Sequence, residues 1–234
     1  YCGLRAEHTD IARYRMPPEE ILETARLASD LGYSTVVMQS GEDATMPAQW
    51  LAEIVREIKR QTHLAITLSA GERPREDLAL WREAGADRYL MRFETSNPTL
   101  YDRLHPPGHN GLKNRLDVLK ILQELDYEVG SGVLIGAPGQ TWDDLVNDIL
   151  LFKEMELDMV GVGPFIPHPK TPAGRGELPL APPDQQVPNT AEMGYKTIAL
   201  TRILCPTTNI PSTTALATLN SRHGREWGLS RGAN

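Results

Sequence analysis

The sequence predicts an α/β fold built from right-handed βαβ units, and three observations carry that prediction. Short, β-branched apolar runs alternate with amphipathic stretches of helical period along most of the chain. The runs are apolar on both faces, as strands of a parallel sheet are. Polar residues and glycines collect just after the runs, at the carboxyl ends of the predicted strands, where parallel α/β folds bind their ligands.

The predicted strands, in order, are STVVMQ (34–39), LAITLS (64–69), RYLMRF (88–93), VGSGVLIG (129–136) and DMVGVGPF (158–165). Between them lie amphipathic segments. PPEEILETARLASDLG opens with Pro and Glu, places Ile21, Leu22, Ala25 and Ala28 at helical spacing, and stops at Gly32. MPAQWLAEIVREIKRQ repeats the plan with Trp50, Ile54 and Ile58, and REDLALWREAGA and LKNRLDVLKILQELD follow. TWDDLVNDILLFKEMELD begins with Thr141 and has Asp144 three residues on, close to a capping box. A sixth strand is expected at NIPSTTA (209–215), after the helix AEMGYKTIALTRIL. Residues 167–190, rich in Pro and polar side chains, read as a long loop. Residues 1–234 read as a single domain with no repeat beyond the βα cadence. Six strands fall short of the eight that close a barrel, so the sheet is open or lacks a strand at one or both ends.

Composition narrows the function. Hydrophobic residues at 40% and charged residues at 24% are ordinary for a globular protein. No apolar run approaches the roughly 20 residues that span a bilayer, so no membrane partner is expected. A net charge of −7 argues against nucleic acid as a partner. Cys2 and Cys205 are too few for a disulfide framework, which favours a reducing cytoplasmic setting. Neither a G-x-x-x-x-G-K-[ST] phosphate loop nor a G-x-S-x-G elbow occurs.

The candidate site residues lie at the predicted strand ends. QSGED (39–43) reads as a strand-to-helix turn with a left-handed Gly41 or as a ligand loop. Glu94, beside Arg92, sits where a buried carboxylate is costly unless paired. Arg115 alone reads as a solvated helix residue. GAPGQT (136–141) reads as a loop plus N-cap whose small residues allow close backbone approach. Met159 reads as core, His168 as a loop residue, and Cys205 as a buried thiol at a helix end. His8, His63, His105, His109 and His223 show no metal-ligand spacing and read as surface. Thr67, Ser69, Thr213 and Thr214 complete the polar edge.

Taken in order, these loops resemble the radical S-adenosylmethionine (SAM) superfamily, most of all the HydE-type maturases of the iron-only hydrogenase. The resemblance runs through RYRMPPEEI, QSGED, WREAGADRYLMRFETSNP, GAPGQTWDDL, DMVGVGPFIPHPKTP, ALTRIL and NIPSTTA to GREWGLSRGAN. GPFIPHP and ALTRILCPTTNIPSTTAL are its most specific stretches. Biotin synthase and methylornithine synthase are similar in architecture and in the ETS strand end.

The resemblance implies a partial (βα)8 barrel and a set of roles. In that superfamily a C-x3-C-x2-C motif with an aromatic before its last cysteine follows the first strand. YCG would be the end of that motif, so the chain is expected to begin inside its own cluster loop. A final strand would follow GAN; with one more at the start, the six become eight. Cys2 would bind iron of a 4Fe–4S cluster, and Tyr1 would lie against the adenine. One thiolate cannot replace three, so these 234 residues alone are not expected to hold a normal cluster. Gln39, Ser40 and Gly41 would face the methionine end of SAM, Glu94 and Arg115 would pair near it, and Gly136 and Pro138 would supply backbone near the adenosyl group. Thr67, Arg92, Met159, Thr213 and Thr214 would line the substrate cavity. The implied activity is reductive cleavage of SAM to a 5′-deoxyadenosyl radical in hydrogenase maturation. Its implied partners are a small-molecule or iron-complex substrate, a one-electron donor and other hydrogenase maturases. The alternatives are a methylornithine or biotin synthase-like enzyme and a cluster-free binding or scaffold barrel.

Overall fold

The structure, a computed structural model, describes residues 1–5 and 8–234. In chain order the elements begin with α1 (Pro18–Asp30), β1 (Thr35–Gln39), α2 (Ala48–Gln61), β2 (Ala65–Ser69), α3 (Arg75–Ala84) and β3 (Arg88–Leu90). Then come α4 (Pro98–Leu104), α5 (Gly111–Glu124), β4 (Glu128–Ile135) and α6 (Trp142–Glu154). The chain closes with β5 (Met159–Pro164), α7 (Ala191–Leu204), α8 (Thr214–Leu219) and α9 (Gly224–Leu229). The sheet runs β1-β2-β3-β4-β5, with parallel pairing along β1–β2, β2–β3 and β3–β4. Each strand lies beside its predecessor, the winding of a (βα)8 barrel rather than of a doubly wound sheet.

The chain divides into two compact units. The first comprises Tyr1–Ile11, Arg92–Asn114 and Ser131–Asn234; the second comprises Ala12–Met91 and Arg115–Gly130.

The second unit shows why its segments take the forms they do. In α2 the buried residues Leu51, Ile54, Val55 and Ile58 recur at helical spacing, so one stripe faces inward. Each such aliphatic side chain contributes about 1.5–3 kcal/mol on burial. Trp81 of α3 is fully buried, stacks on Tyr89 at 6.4 Å, and donates its indole N–H to Ala48 O at 2.9 Å. Tyr89 in turn donates to Gly71 O at 2.8 Å, so neither polar tip is stranded in the core.

In the first unit, Leu100, Leu104, Leu134, Ala137, Phe165 and Ala173 form a buried cluster against which Tyr1 packs. Thr141 caps α6 with the full reciprocal box: its hydroxyl accepts from Asp144 N at 3.2 Å, and Asp144 accepts from Thr141 N at 2.8 Å. The Pro-rich 167–190 segment holds no helix or strand, as expected, yet Thr171, Ala173 and Val187 within it are buried.

Two expected strands change. β3 ends at Leu90 rather than 93: its register with β4 runs to Leu90↔Gly130 and resumes only at Glu94↔Val133, so one extra residue on this side interrupts the ladder, and Glu94 itself has φ 65°. Glu94 then makes a single parallel bridge to Val133. The sixth strand, 209–215, is not a strand. Asn209 alone bridges Met159, Pro211 has no N–H for a ladder, and Thr213 already stands at the N-cap of α8. Helices α4, α8 and α9 were not expected. The first has a legible signal in Asn97–Pro98, where the Asn97 side chain accepts from Thr99 N and Leu100 N.

Candidate functional site

Glu94 is the centre of the first unit's polar cluster. Its left-handed backbone is a strained conformation for a residue with a Cβ, and such strain persists where surrounding contacts enforce it. The residue is 5% exposed, and its Oε1 accepts from the Tyr1 hydroxyl at 2.9 Å. Burial first, and then the charge of Glu94, push the Tyr1 phenol well above its usual range. Arg92 Nη2 lies 3.2 Å from Glu94 Oε2, close enough for charge attraction but without hydrogen-bond geometry. Glu94 Oε2 and Arg92 Nε are both buried without a hydrogen-bond partner. An unsatisfied buried acceptor beside an unsatisfied buried donor is costly in a core that binds nothing.

The turn carrying Glu94 is anchored to α6. Ser96 N and Oγ donate to Asp148 Oδ1 at 2.5 and 2.7 Å, and Asn97 Nδ2 donates to Asp144 Oδ1 at 2.8 Å. Gln140 Nε2 donates to Asp148 Oδ2 at 3.1 Å and to Leu134 O at 2.9 Å. Burial pushes the Asp148 carboxyl up to about 6, against the lowering effect of its Ser96 and Gln140 bonds. Asp148, Ser96 and Gln140 were missed in the sequence. The signal was there: Asp144 and Asp148 stand four apart on the face of α6 that also buries Leu145 and Ile149.

Gly136 is buried, donates its N–H to Gln140 Oε1 at 2.6 Å, and leaves no space for a side chain. A Cβ there would lie 2.4 Å from Asn189 N, so the close approach is made by the chain itself. Pro138 is also buried. His105, expected at the surface, stacks on Tyr101 at 3.8 Å and meets Tyr1 edge-on at 5.5 Å. Cys205 is a buried thiol, as expected, and burial raises its pKa. Cys2 is exposed, with Leu4 N 3.4 Å from its Sγ.

In the second unit, Gln39 and Ser40 are exposed at the end of β1, and open space surrounds Gly41, whose φ is 70°. Arg115 is 9% exposed rather than solvated, a correction to its expected setting. It pairs with Glu42 at 2.9 Å and with Glu72 at 3.0 Å. Glu94 and Arg115 were expected as partners of one another. Glu94 contacts Tyr1 and Arg92, and Arg115 contacts Glu42 and Glu72.

Of the expected substrate residues, Thr67 is buried within β2 and Arg92 sits beside Glu94. Thr213 is half-buried, and its hydroxyl lies 3.4 Å from Val162 O, whereas Thr214 is exposed. Both begin a helix rather than end a strand. Met159 opens β5, at the amino end of the strand, and is half-buried.

Among the described residues no group of three or more His, Cys, Asp or Glu is placed to hold a metal ion. A lone thiolate, Cys2, does not hold a 4Fe–4S cluster. The unsatisfied Glu94–Arg92 pair, by contrast, fits a ligand that carries both donors and carboxylate acceptors, as SAM does. No helix among the described residues is long and apolar enough to cross a membrane.

Residues 1–152 match the radical SAM superfamily. The chain is 50% identical, over its whole length and 63% of the relative's, to the FeFe hydrogenase maturase subunit HydE of Thermotoga maritima. A crystal structure of methylornithine synthase (PylB) superposes with a TM-score of 0.80 at 26% identity, over 96% of this chain and 62% of that one. The crystal structure of HydG, a maturase of the FeFe hydrogenase, superposes with a TM-score of 0.79 at 19% identity, over all of this chain and 52% of that one, a likeness of fold. The chain thus spans just over half to about three-fifths of the length of these proteins. The expected α/β fold, a partial (βα)8 arrangement of parallel strands, is the fold they share with it. On the match of residues 1–152 and its identity with the HydE relative, the chain belongs to the radical SAM superfamily.

Proposed function

We propose that residues 1–234 form one radical SAM core that cleaves SAM reductively in the maturation of an FeFe hydrogenase. The likeness to HydE supports the pathway, and the buried, half-satisfied Glu94 carries the ligand reading. Glu94 Oε2 is free to accept from a hydroxyl or ammonium, and Arg92 Nε is free to donate to a carboxylate. Tyr1 holds Glu94 in place through its hydroxyl, so the acceptor that faces the ligand is fixed before the ligand arrives. Cys2 is proposed as one thiolate ligand of the cluster. When bound, the cluster supplies the single electron that cleaves the sulfonium.

The same reading gives Gln39, Ser40, Gly41 and Arg115 to SAM, and Arg92, Thr67 and Thr213 to an anionic small-molecule or iron-complex substrate. An electron donor and the other maturases are its partners, in a reducing cytoplasm. A second reading is supported by the PylB superposition: a methylornithine synthase-like activity on an amino-acid substrate.

The test uses the full-length protein, reconstituted anaerobically with iron and sulfide and given SAM and dithionite. Formation of 5′-deoxyadenosine, lost in Cys2→Ala, is the expected result. Cluster-free protein after reconstitution would overturn the enzyme reading and leave a binding barrel. SAM cleavage stimulated by an amino-acid substrate, and not by an iron–cysteine complex, would favour the second reading.

A further inference from the structure

His168 lies in GPFIPHP, more than 160 residues from the cysteine loop in sequence, and the proposed chemistry gives it no role. The structure brings it against that loop. A Cβ on Gly3, the residue after Cys2, would fall 2.8 Å from His168 Cδ2, 2.9 Å from Cγ and 3.0 Å from Nε2. Real Cβ atoms do not come so close, so the Gly3 backbone rests directly on the face of the imidazole. From another direction His8 Nδ1 lies 2.6 Å from Gly3 O, and the His8 ring meets the His168 ring edge-on at 5.8 Å. The Gly3 peptide therefore sits between two imidazoles, one against its Cα and one on its carbonyl.

The His168 ring is itself fixed. Lys170 N donates to His168 Nδ1 at 3.2 Å, which makes Nδ1 an acceptor and puts the proton of the neutral ring on Nε2. Thr171 N and Oγ1 both donate to His168 O at 2.9 Å, and Thr171 is fully buried. Gly174 closes the turn: its N–H donates to Thr171 Oγ1 at 3.0 Å, and a Cβ there would lie 2.0 Å from His168 O. A ring held by its own side-chain bond, its carbonyl and a buried turn is a rigid support, and a backbone seated on it inherits that rigidity.

We propose that His168 is a positioning residue for the cysteine loop, its imidazole face setting where Gly3, and with it the Cys2 thiolate, lies. This deepens the proposed function, since placing Cys2 has value only if Cys2 ligates iron. The contact also gives Gly3 its own physical requirement. Glycine is needed because the ring occupies the Cβ position, not because of an unusual backbone angle.

A double-mutant cycle on Gly3→Ala and His168→Ala in the full chain tests it. The first readout is the alkylation rate of Cys2 in metal-free protein, followed by peptide mass spectrometry, which needs no cluster. Gly3→Ala is expected to change that rate at least about threefold while His168 is present, and to change it less than about 1.5-fold in the His168→Ala background. The second readout is the electron paramagnetic resonance spectrum of the reduced cluster with and without SAM. Gly3→Ala should alter the SAM-induced change in that spectrum, and the double variant should recover most of it. Equal effects of Gly3→Ala in both backgrounds, with circular dichroism showing folded protein, would overturn the proposal. If alkylation follows the cycle but no variant, wild type included, forms a cluster, the positioning contact stands and the radical SAM reading fails. If wild type cleaves SAM while the cycle is additive, only this inference fails.

Discussion

The Tyr1 hydroxyl donates to Glu94 Oε1 at 2.9 Å, so a residue beside the loop cysteine holds a buried carboxylate whose backbone is left-handed, with φ 65°. Glu94→Gln keeps the size and the Tyr1 contact but puts an amide donor or a neutral oxygen where the buried Oε2 has no hydrogen-bond partner. SAM affinity of the cluster-loaded protein is expected to fall about tenfold or more, read by calorimetry. Unchanged affinity would remove Glu94 from the SAM site.

Tyr1→Phe removes the hydroxyl and leaves Glu94 with neither oxygen hydrogen-bonded by the tyrosine. Stability should fall by about 1–3 kcal/mol in urea denaturation, because a buried carboxylate loses its donor. A smaller loss would mean that solvent replaces the phenol.

Asp148 gives stability a specific pH dependence. Its folded pKa, about 6, lies above the ordinary 3.8, so the folded protein binds the proton more tightly than the unfolded chain does. Stability is therefore greatest, for this group, at low pH, and it declines as pH rises from about 4 to about 6, by an amount on the order of 3 kcal/mol. Asp148→Asn removes the titration. Urea midpoints of the variant should depend less on pH across that window, whatever its absolute stability. Parallel profiles for the two proteins would show that Asp148 titrates normally.

Gly71 has φ 75°, and a Cβ there would lie 2.2 Å from Glu42 Oε2. That oxygen accepts from Glu72 N at 2.8 Å, and the same carboxylate pairs with Arg115. Gly71→Ala is expected to cost about 1–3 kcal/mol, combining backbone strain with displacement of Glu42. In a Glu42→Ala background the cost should shrink toward the backbone component alone. An undiminished cost there would assign the whole effect to the backbone angle.

Arg202, near the end of α7, donates to the carbonyls of Gly232, Pro206 and Thr208 at 2.7–2.8 Å and to Asn234 Oδ1 at 2.8 Å. A lysine carries the charge but not the fork. Arg202→Lys should cost about 1.5–3 kcal/mol and speed proteolysis within 205–234 before the rest of the chain. Uniform proteolysis would show that this segment is held by its apolar contacts instead.

Much of the fold is set by local patterning. α1, α2, α3, α5, α6 and α7, and the strands β1, β2, β4 and β5, lie within a few residues of their predicted places, because periodicity and caps such as Thr141 act over one or two turns. Motif order was likewise enough to suggest the family that the match of residues 1–152 establishes. Tertiary structure decided the rest. It reduced 209–215 to one bridge at Asn209, because a strand exists only if its neighbour accepts the ladder and Pro211 breaks it. It gave Glu94 the partners Tyr1 and Arg92, turned Arg115 inward between two carboxylates, and laid Gly3 on His168. Apart from Arg92–Glu94, those contacts join residues from more than 40 to more than 160 positions apart. Their geometry depends on backbone angles and packing that no local window of sequence contains.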